Sequence, residues 1–271
     1  MESRDNFLDC IRALAVLLVF CTHYHGLLPG GTDGVSVFFC LSGFLICRIL
    51  LRIDLSPLTI AKFIFRRFMR VWPMLAFQVS ITIVLMWFLK PNLIDKLAPD
   101  IFHILTFTGG YSSWVGYSPA VLWTLRAEFW FYVLFPLALF AAGKQHVLKL
   151  AVIGIVIGLS SKYLIGHTDT GPFAMYLGWM TALTPMLVYL DNLMFGVVCA
   201  ALIERRSNAV GIFRSPWFLW LPAAIIVLMA LDRFVDYNVL FYAETSGAAL
   251  LTACIVLHLS LIHISEPTRP Y

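Results

Sequence analysis

Charged residues are scarce in this chain of 271 residues, in which Asp, Glu, Lys and Arg together make up 13%. Soluble domains carry about 25% of such residues and are about 45–50% apolar, whereas 61% of this chain is hydrophobic. So small a charged fraction leaves too little polar surface to solvate a compact body, which excludes a soluble enzyme and a disordered chain. The composition therefore predicts a polytopic membrane protein.

Closely paired cysteines are also lacking, because the six cysteines include no CxxC pair and fall inside or beside apolar runs. Neither a metal site nor a secreted disulfide framework is expected from this pattern, and the cysteines are interpreted as small buried apolar side chains. The formal net charge of +4 is too small to indicate nucleic-acid binding. The first apolar run has no small-residue cleavage site, so no cleavable signal peptide is expected.

Apolar runs long enough to cross a membrane recur along the chain. A transmembrane helix needs about 20 mostly apolar residues. Eight runs approach this length, at about 11–28, 34–51, 72–89, 124–142, 147–165, 184–203, 216–231 and 239–260. Residues 101–122 are apolar but contain several glycines and a proline, which indicates a short or re-entrant segment. The expected fold is an all-α polytopic membrane helix bundle with eight spans and this additional segment.

Lys and Arg are unevenly distributed between the loops. The loop after the second span is the most basic, with Arg52, Lys62, Arg66, Arg67 and Arg70. Because short cytoplasmic loops retain Lys and Arg, we expect this loop and the N-terminus to be cytoplasmic.

The last residues, SLIHISEPTRPY, do not continue the apolar pattern, which ends near Leu259. This string resembles a translated sequencing-adapter fragment, a kind of scar that does not belong to the fold. We therefore expect a membrane domain over residues 1–260 and a non-native tail over residues 261–271, with the natural C-terminus missing.

Ionisable residues inside apolar spans are costly and are by default candidates for function. Arg12 and His23 lie eleven residues apart in the first span. They therefore share a helix face and are separated by about 16 Å along the helix axis. Asp9 joins this face one turn before Arg12 and is placed to pair with it. The alternative is that Arg12 extends to the membrane interface and His23 caps the outer end of the helix.

The basic loop contains a regular stripe of cations, since Lys62, Arg66 and Arg70 recur every fourth residue with Arg67 beside them. This pattern is typical of an interfacial amphipathic helix whose cations face the cytoplasm. Contact with anionic lipid explains such a stripe. A site for a polyanionic cytosolic cofactor is the sharper alternative, because arginine forks suit phosphate.

Three other motifs place polar residues in apolar segments. Glu128 lies one turn into a helix that Thr124 is placed to cap, where a carboxylate either favours the positive helix end or orients a histidine. Asp191 is a second buried carboxylate, and structural pairing between helices explains it at least as well. Ser42, beside Gly43, can hydrogen-bond across helices, but a packing face is the favoured interpretation of that motif.

Taken in order, these motifs resemble those of the membrane acyltransferase-3 family. LDCIRALAVLLVFCTH has the family's Arg-x10-His spacing, GVSVFFCLSGF resembles GVDxFFxLSGF, RRFMRVWP resembles RRxxRIxP, and WTLRAEFWFY resembles W-S/T-L-x-x-E-x-x-F-Y. The strong matches cover about residues 7–136, and a weaker D-x-L-x-x-G match reaches Gly196. Three departures are visible: Ser36 stands where the family often has Asp, Cys10 replaces a common glycine, and no arginine shortly precedes Asp191.

The resemblance implies an O-acyltransferase of a bacterial inner membrane. Its co-substrate would be a cytosolic acyl-CoA, commonly acetyl-CoA, with no permanently bound cofactor and no metal. Its acceptor would be a hydroxyl of a carbohydrate or glycolipid, with membrane lipid around it.

The resemblance also implies roles for particular residues. His23 would act as general base or brief acyl carrier, Glu128 would orient it or bind the sugar, and Arg12 would guide the pantetheine arm or polarise the thioester. The CoA phosphates would be held by Arg66, Arg67 and Arg70, and the supporting polar residues would be Asp9, Ser42, Thr124 and Asp191.

Two other classes of protein have some of these features. A transporter or flippase for a lipid-linked or anionic solute also contains interrupted segments and intramembrane ionisable residues. No two-fold internal repeat is visible in the sequence, which lowers that alternative. A membrane scaffold without chemistry is disfavoured by four polar motifs in a fixed order.

Overall fold

The structure, a computed structural model, describes residues 6–23, 31–109, 122–167, 183–205 and 246–257. Within these ranges the chain is helical, with short turns and no strand. The α-helices are α1 (Asn6–His23), α2 (Gly31–Arg52), α3 (Pro57–Leu89), α4 (Ile94–Leu105), α5 (Leu122–Ala142), α6 (Val147–His167), α7 (Thr184–Val188), α8 (Leu190–Glu204) and α9 (Ser246–Leu257). Two short 3₁₀ helices cover Pro91–Leu93 and Lys144–His146.

Four helical stretches in the described ranges are long and apolar enough to cross a membrane. They are Asp33–Arg52, Pro57–Leu89, Leu122–Ala142 and Lys144–Leu164. The expected span at about 184–203 is divided at Tyr189 into α7 and α8. The expected span at about 216–231 and the ends of the one at 239–260 lie outside the described residues. The helical architecture is therefore confirmed for the described ranges, and the count of eight spans stays a prediction.

Helix α3 differs most from the expectation, because the amphipathic stretch and the third span form one continuous helix of 33 residues. Ser56 caps its N-terminus by accepting a hydrogen bond of 3.2 Å from the Thr59 backbone amide. Pro57 occupies the first turn, where its missing N–H costs nothing. A helix of this length extends for about 50 Å, well beyond about 30 Å of hydrocarbon. Part of α3 therefore lies outside the membrane core.

The chain divides into two compact units. Unit one contains α1, α2, α6, α8 and α9, and unit two contains α3, α4, α5 and α7. In unit one, α2 and α8 approach closely at Gly43 and Gly196. A Cβ atom on Gly43 would overlap the backbone of Leu193, and one on Gly196 would overlap the backbone of Cys40. Glycine is therefore required at both positions for these helices to pack.

Unit two is held together by an aromatic cluster. The rings of Phe107 and Phe129 stack with centroids 4.3 Å apart, and Phe68 meets both rings edge-on. The indole of Trp130 donates a hydrogen bond of 2.9 Å to the Phe107 carbonyl. Phe107 has a positive φ of 59°, a conformation that is unfavourable for a bulky residue. The cluster fixes this turn after α4 against α3 and α5.

Candidate active-site residues

Arg12 and His23 lie on one uninterrupted helix, α1, so the expected spacing between them is confirmed. Arg12 Nη1 and Asp9 Oδ1 are 3.9 Å apart, which supports the expected pairing one turn apart. Arg12 is half-buried, with 27% of its side chain exposed. His23 is the last residue of α1, and its side chain lies outside the described residues. Its catalytic role stays a prediction.

Glu128 is buried in α5, with 6% of its surface exposed. Tyr132, one turn further along the same helix and 4% exposed, donates a hydrogen bond from its hydroxyl to Glu128 Oε1. Thr124 lies inside α5, which already includes Leu122, so the expectation that Thr124 caps this helix is wrong. The sequence motif alone assigned no role to Tyr132. The available signal was its position four residues after Glu128, which makes the two side chains neighbours on a helix.

The three arginines of the basic motif do not share one environment. Arg66 and Arg70 are exposed, whereas Arg67 is half-buried. The guanidinium carbon of Arg67 lies 5.3 Å from the ring centroid of Phe63 and 5.6 Å from that of Tyr132. Arg67 therefore contacts Tyr132, the residue that hydrogen-bonds to Glu128, within unit two.

Asp191 belongs to a buried polar cluster in unit one that joins three helices. Lys162 Nζ on α6 donates to Asp191 Oδ2 at 2.8 Å, to Asn192 Oδ1 at 3.2 Å and to Ser246 Oγ at 2.7 Å. Ser246 Oγ in turn donates to Asp191 Oδ2 at 2.6 Å. Asp191 and Asn192 are 0% exposed, so the pairing interpretation of Asp191 is supported.

Lys162 was missed at the level of sequence. It is the cation that pairs with Asp191, where the sequence offers no nearby arginine. The signal was a lone lysine inside the apolar run at about 147–165, since such a charge needs a partner.

A second set of charges lies at the other end of unit one. Glu204 Oε1 is 2.7 Å from Arg52 Nη2 and 3.3 Å from Arg48 Nε. Lys144 Nζ donates to the carbonyl of Leu51 at 3.0 Å, at the C-terminal end of α2. Arg205 donates to the Lys144 carbonyl at 3.1 Å. These cations bind helix-end carbonyls and a carboxylate, which is a structural use of positive charge.

Ser42 is 3% exposed in α2 beside Gly43, which supports the packing interpretation of that motif. All six cysteines are free. Four of them are buried as expected, whereas Cys21 is half-buried and Cys10 is exposed on α1. No group of three His, Cys, Asp or Glu side chains is arranged to hold a metal ion in the described ranges.

Apolar helices of spanning length, with ionisable side chains buried among them, define an integral membrane protein with a polar interior. The model of the protein family described as "Acyltransferase domain" matches residues 5–270, which is nearly the whole chain. The chain belongs to this acyltransferase family, and the resemblance drawn from its motifs is confirmed.

Several bacterial proteins are similar to this chain. It is 30% identical over 193 residues to "Peptidoglycan O-acetyltransferase OatA" of Listeria monocytogenes, an alignment that covers 63% of this chain and 30% of that protein. It is 28% identical over 202 residues to "O-acetyltransferase OatA" of Staphylococcus aureus strain NCTC 8325, covering 67% of this chain and 33% of the relative. The chain thus spans about a third of the length of these relatives. No solved structure matches the chain.

Proposed function

We propose that this protein transfers an acetyl group from cytosolic acetyl-CoA to a sugar hydroxyl of a cell-surface glycan, with peptidoglycan as the first candidate. The family match over residues 5–270 carries the proposal, because it covers every polar motif described above. The acetyl group and the glycan are suggested by the names of the relatives, one of which is called a peptidoglycan O-acetyltransferase.

The donor would enter from the cytoplasm of a bacterial cell, at the inner membrane. The proposed orientation places the N-terminus and the basic end of α3 on the cytoplasmic side, in agreement with the rule that short cytoplasmic loops are rich in Lys and Arg. Arg66 and Arg70 are exposed there. Guanidinium groups bind phosphate by paired, charge-assisted hydrogen bonds, so these side chains suit the phosphates of CoA.

The reaction assigned to this donor is an acyl transfer between a thioester and an alcohol. His23 would take the proton of the acceptor hydroxyl while the hydroxyl oxygen attacks the thioester carbonyl carbon. The carbon–sulfur bond then breaks, the CoA thiolate leaves and takes up a proton, and an O-acetyl ester remains on the sugar. In a second route, His23 carries the acetyl group briefly between thiolate loss and sugar attack.

Arg12 and Glu128 complete the proposed set of reacting groups. Arg12 lies about 16 Å before His23 along α1, a rise that suits a donor and an acceptor arriving from opposite sides of the membrane. Arg12 would polarise the thioester carbonyl or guide the pantetheine arm. Glu128 would orient His23 or bind the sugar, and its burial in an apolar helix makes it a candidate for function.

Permeabilised membrane vesicles carrying the protein, in which radiolabelled acetyl-CoA and peptidoglycan reach both faces of the membrane, test the function. The expected result is label in the glycan as an ester that mild alkali releases, with none in vesicles from cells that lack the protein. Counterflow of an anionic solute in sealed vesicles, without any acetylated glycan in the permeabilised ones, would instead show a transporter, and the proposed function would fail.

A further inference from the structure

Four cations on the first turns of α3 separate into two groups by exposure. Lys62, Arg66 and Arg70 are exposed and recur every four residues, so they form one stripe of about 12 Å along the helix. Arg67 is half-buried, and it follows Arg66 by a rotation of about 100° around the helix axis. Three cations of this motif are therefore exposed, and the fourth, Arg67, is partly buried within unit two.

The guanidinium of Arg67 is held by two aromatic rings. Its central carbon is 5.3 Å from the centroid of Phe63 on α3 and 5.6 Å from the centroid of Tyr132 on α5. Both rings are buried. A cation over an aromatic face is stabilised by the ring quadrupole, and this attraction grows when water is excluded. Arg67 therefore restrains the orientation of the Tyr132 ring.

The hydroxyl of Tyr132 connects the ring beside Arg67 to Glu128. It donates to Glu128 Oε1 from one turn along α5, and both side chains are buried. A hydrogen bond to a carboxylate is stronger than one between neutral groups, and it limits the rotation of the carboxylate plane. Because the ring that carries this hydroxyl is itself restrained, the two contacts together restrain the carboxylate.

We propose that Tyr132 is a positioning residue for the Glu128 carboxylate and that Arg67 holds the Tyr132 ring, whereas Lys62, Arg66 and Arg70 form the surface that binds the phosphates of CoA. This inference rests on the proposed function and deepens it. Arg67 is thereby assigned to the group around Glu128 and no longer to the residues that bind CoA. Lys62 joins Arg66 and Arg70 in the CoA-binding stripe, which we call the donor surface.

Steady-state kinetics with acetyl-CoA separates the two groups of residues. Tyr132→Phe keeps the ring and removes only the hydroxyl. We expect it, and Arg67→Gln, to lower kcat by about tenfold while KM for acetyl-CoA stays within about twofold. Lys62→Gln and Arg66→Gln are the matched controls. Each should raise KM for acetyl-CoA by about fivefold with little change in kcat, as expected for lost ground-state binding.

Two results would overturn the inference while the proposed function stands. The first is a wild-type kcat in Tyr132→Phe. The second is an Arg67→Gln variant that raises KM for acetyl-CoA as Arg66→Gln does and leaves kcat unchanged.

A second measurement does not depend on activity. In thermal unfolding of the detergent-purified full chain, Arg67→Gln and Tyr132→Leu should be non-additive, because they remove the same contact. Arg66→Gln and Tyr132→Leu should be additive. Tyr132→Phe and Glu128→Gln should also be non-additive. Additivity in all three pairs would overturn the inference even if acetyl transfer is observed, and absent transfer would count against the proposed function alone.

Discussion

A single buried lysine balances the charge at one end of unit one. Lys162 supplies three hydrogen bonds to Asp191, Asn192 and Ser246, so its removal leaves the Asp191 carboxylate buried without its cation. Breaking a buried ion pair from one side typically costs about 3–5 kcal/mol. We expect Lys162→Met to lower the melting temperature strongly in detergent. Lys149→Met, at an exposed position of the same helix, should change it little.

The double variant Lys162→Met/Asp191→Leu completes that test. Replacing both charges with apolar side chains removes the uncompensated carboxylate, so most of the lost stability should return. A double variant as unstable as Lys162→Met alone would show that the pair has a role beyond mutual neutralisation.

The imidazole of His23 is the residue on which the proposed chemistry depends most. General-base catalysis typically contributes about 10²–10⁴-fold, so His23→Ala should reduce acetyl transfer by at least about a hundredfold at an unchanged protein level. His103→Ala provides the control, since His103 is exposed and its ring contacts Thr108 in a local turn. Full transfer activity in an intact His23→Ala protein would contradict the role.

Single buried carboxylates are easier to predict from the sequence than their partners. Glu128 and Asp191 were found because a carboxylate in an apolar run is expensive wherever it lies. The partner Lys162 is 29 residues from Asp191, and only the packing of α6 against α8 brings the two together. Local patterns contain no information on such a pairing. Thr124 was misjudged because a threonine before an apolar run is a typical cap signal, whereas here it lies inside α5.

Packing between α2 and α8 depends on the absence of side chains at the contact. A Cβ atom at Gly196 would overlap the backbone of Cys40, which cannot move without displacing α2. We therefore expect Gly196→Ala to cost about 1–3 kcal/mol or more through overpacking. The measurement is the melting temperature and the monodisperse fraction of the purified protein.

Gly154→Ala is the control for this contact. A Cβ atom at Gly154 would come within 2.7 Å of Met194 Cγ and 2.9 Å of its Cε, which belong to a flexible side chain and not to backbone. We expect a small change in melting temperature there. Equal losses in Gly154→Ala and Gly196→Ala would mean that helix flexibility, and not backbone contact, sets the cost.

The boundaries of α3 illustrate what hydropathy alone predicts. The start of the helix has a local sequence signal, because Ser56 is its cap and Pro57 its first-turn residue. A separate span from about residue 72 was expected because polarity changes there, but no glycine or cap residue stands between Arg70 and Trp72. Pro73 lacks a backbone N–H, yet the helix continues through it. The other backbone hydrogen bonds of a helix do not depend on side-chain polarity, so the change in polarity does not end it.

The two polar clusters of unit one distinguish one end of this unit from the other. Asp191 and Glu204 stand at opposite ends of α8, thirteen residues apart, which corresponds to about 20 Å. At the Glu204 end, Arg52, Lys144 and Arg205 gather around helix ends. Positive residues concentrated at one end agree with the proposal that this end is cytoplasmic.

Helix α3 offers a direct test of that orientation. Lys62 and Asn92 are exposed and lie near its two ends. In a variant without native cysteines, Lys62→Cys should react with a membrane-impermeant maleimide only after the cells are permeabilised. Asn92→Cys should react in intact cells whose outer layers admit the reagent. The reversed pattern would place the basic stripe outside, where no CoA is available, and would refute the donor surface. Labelling of both positions from one side would show that α3 does not cross the membrane.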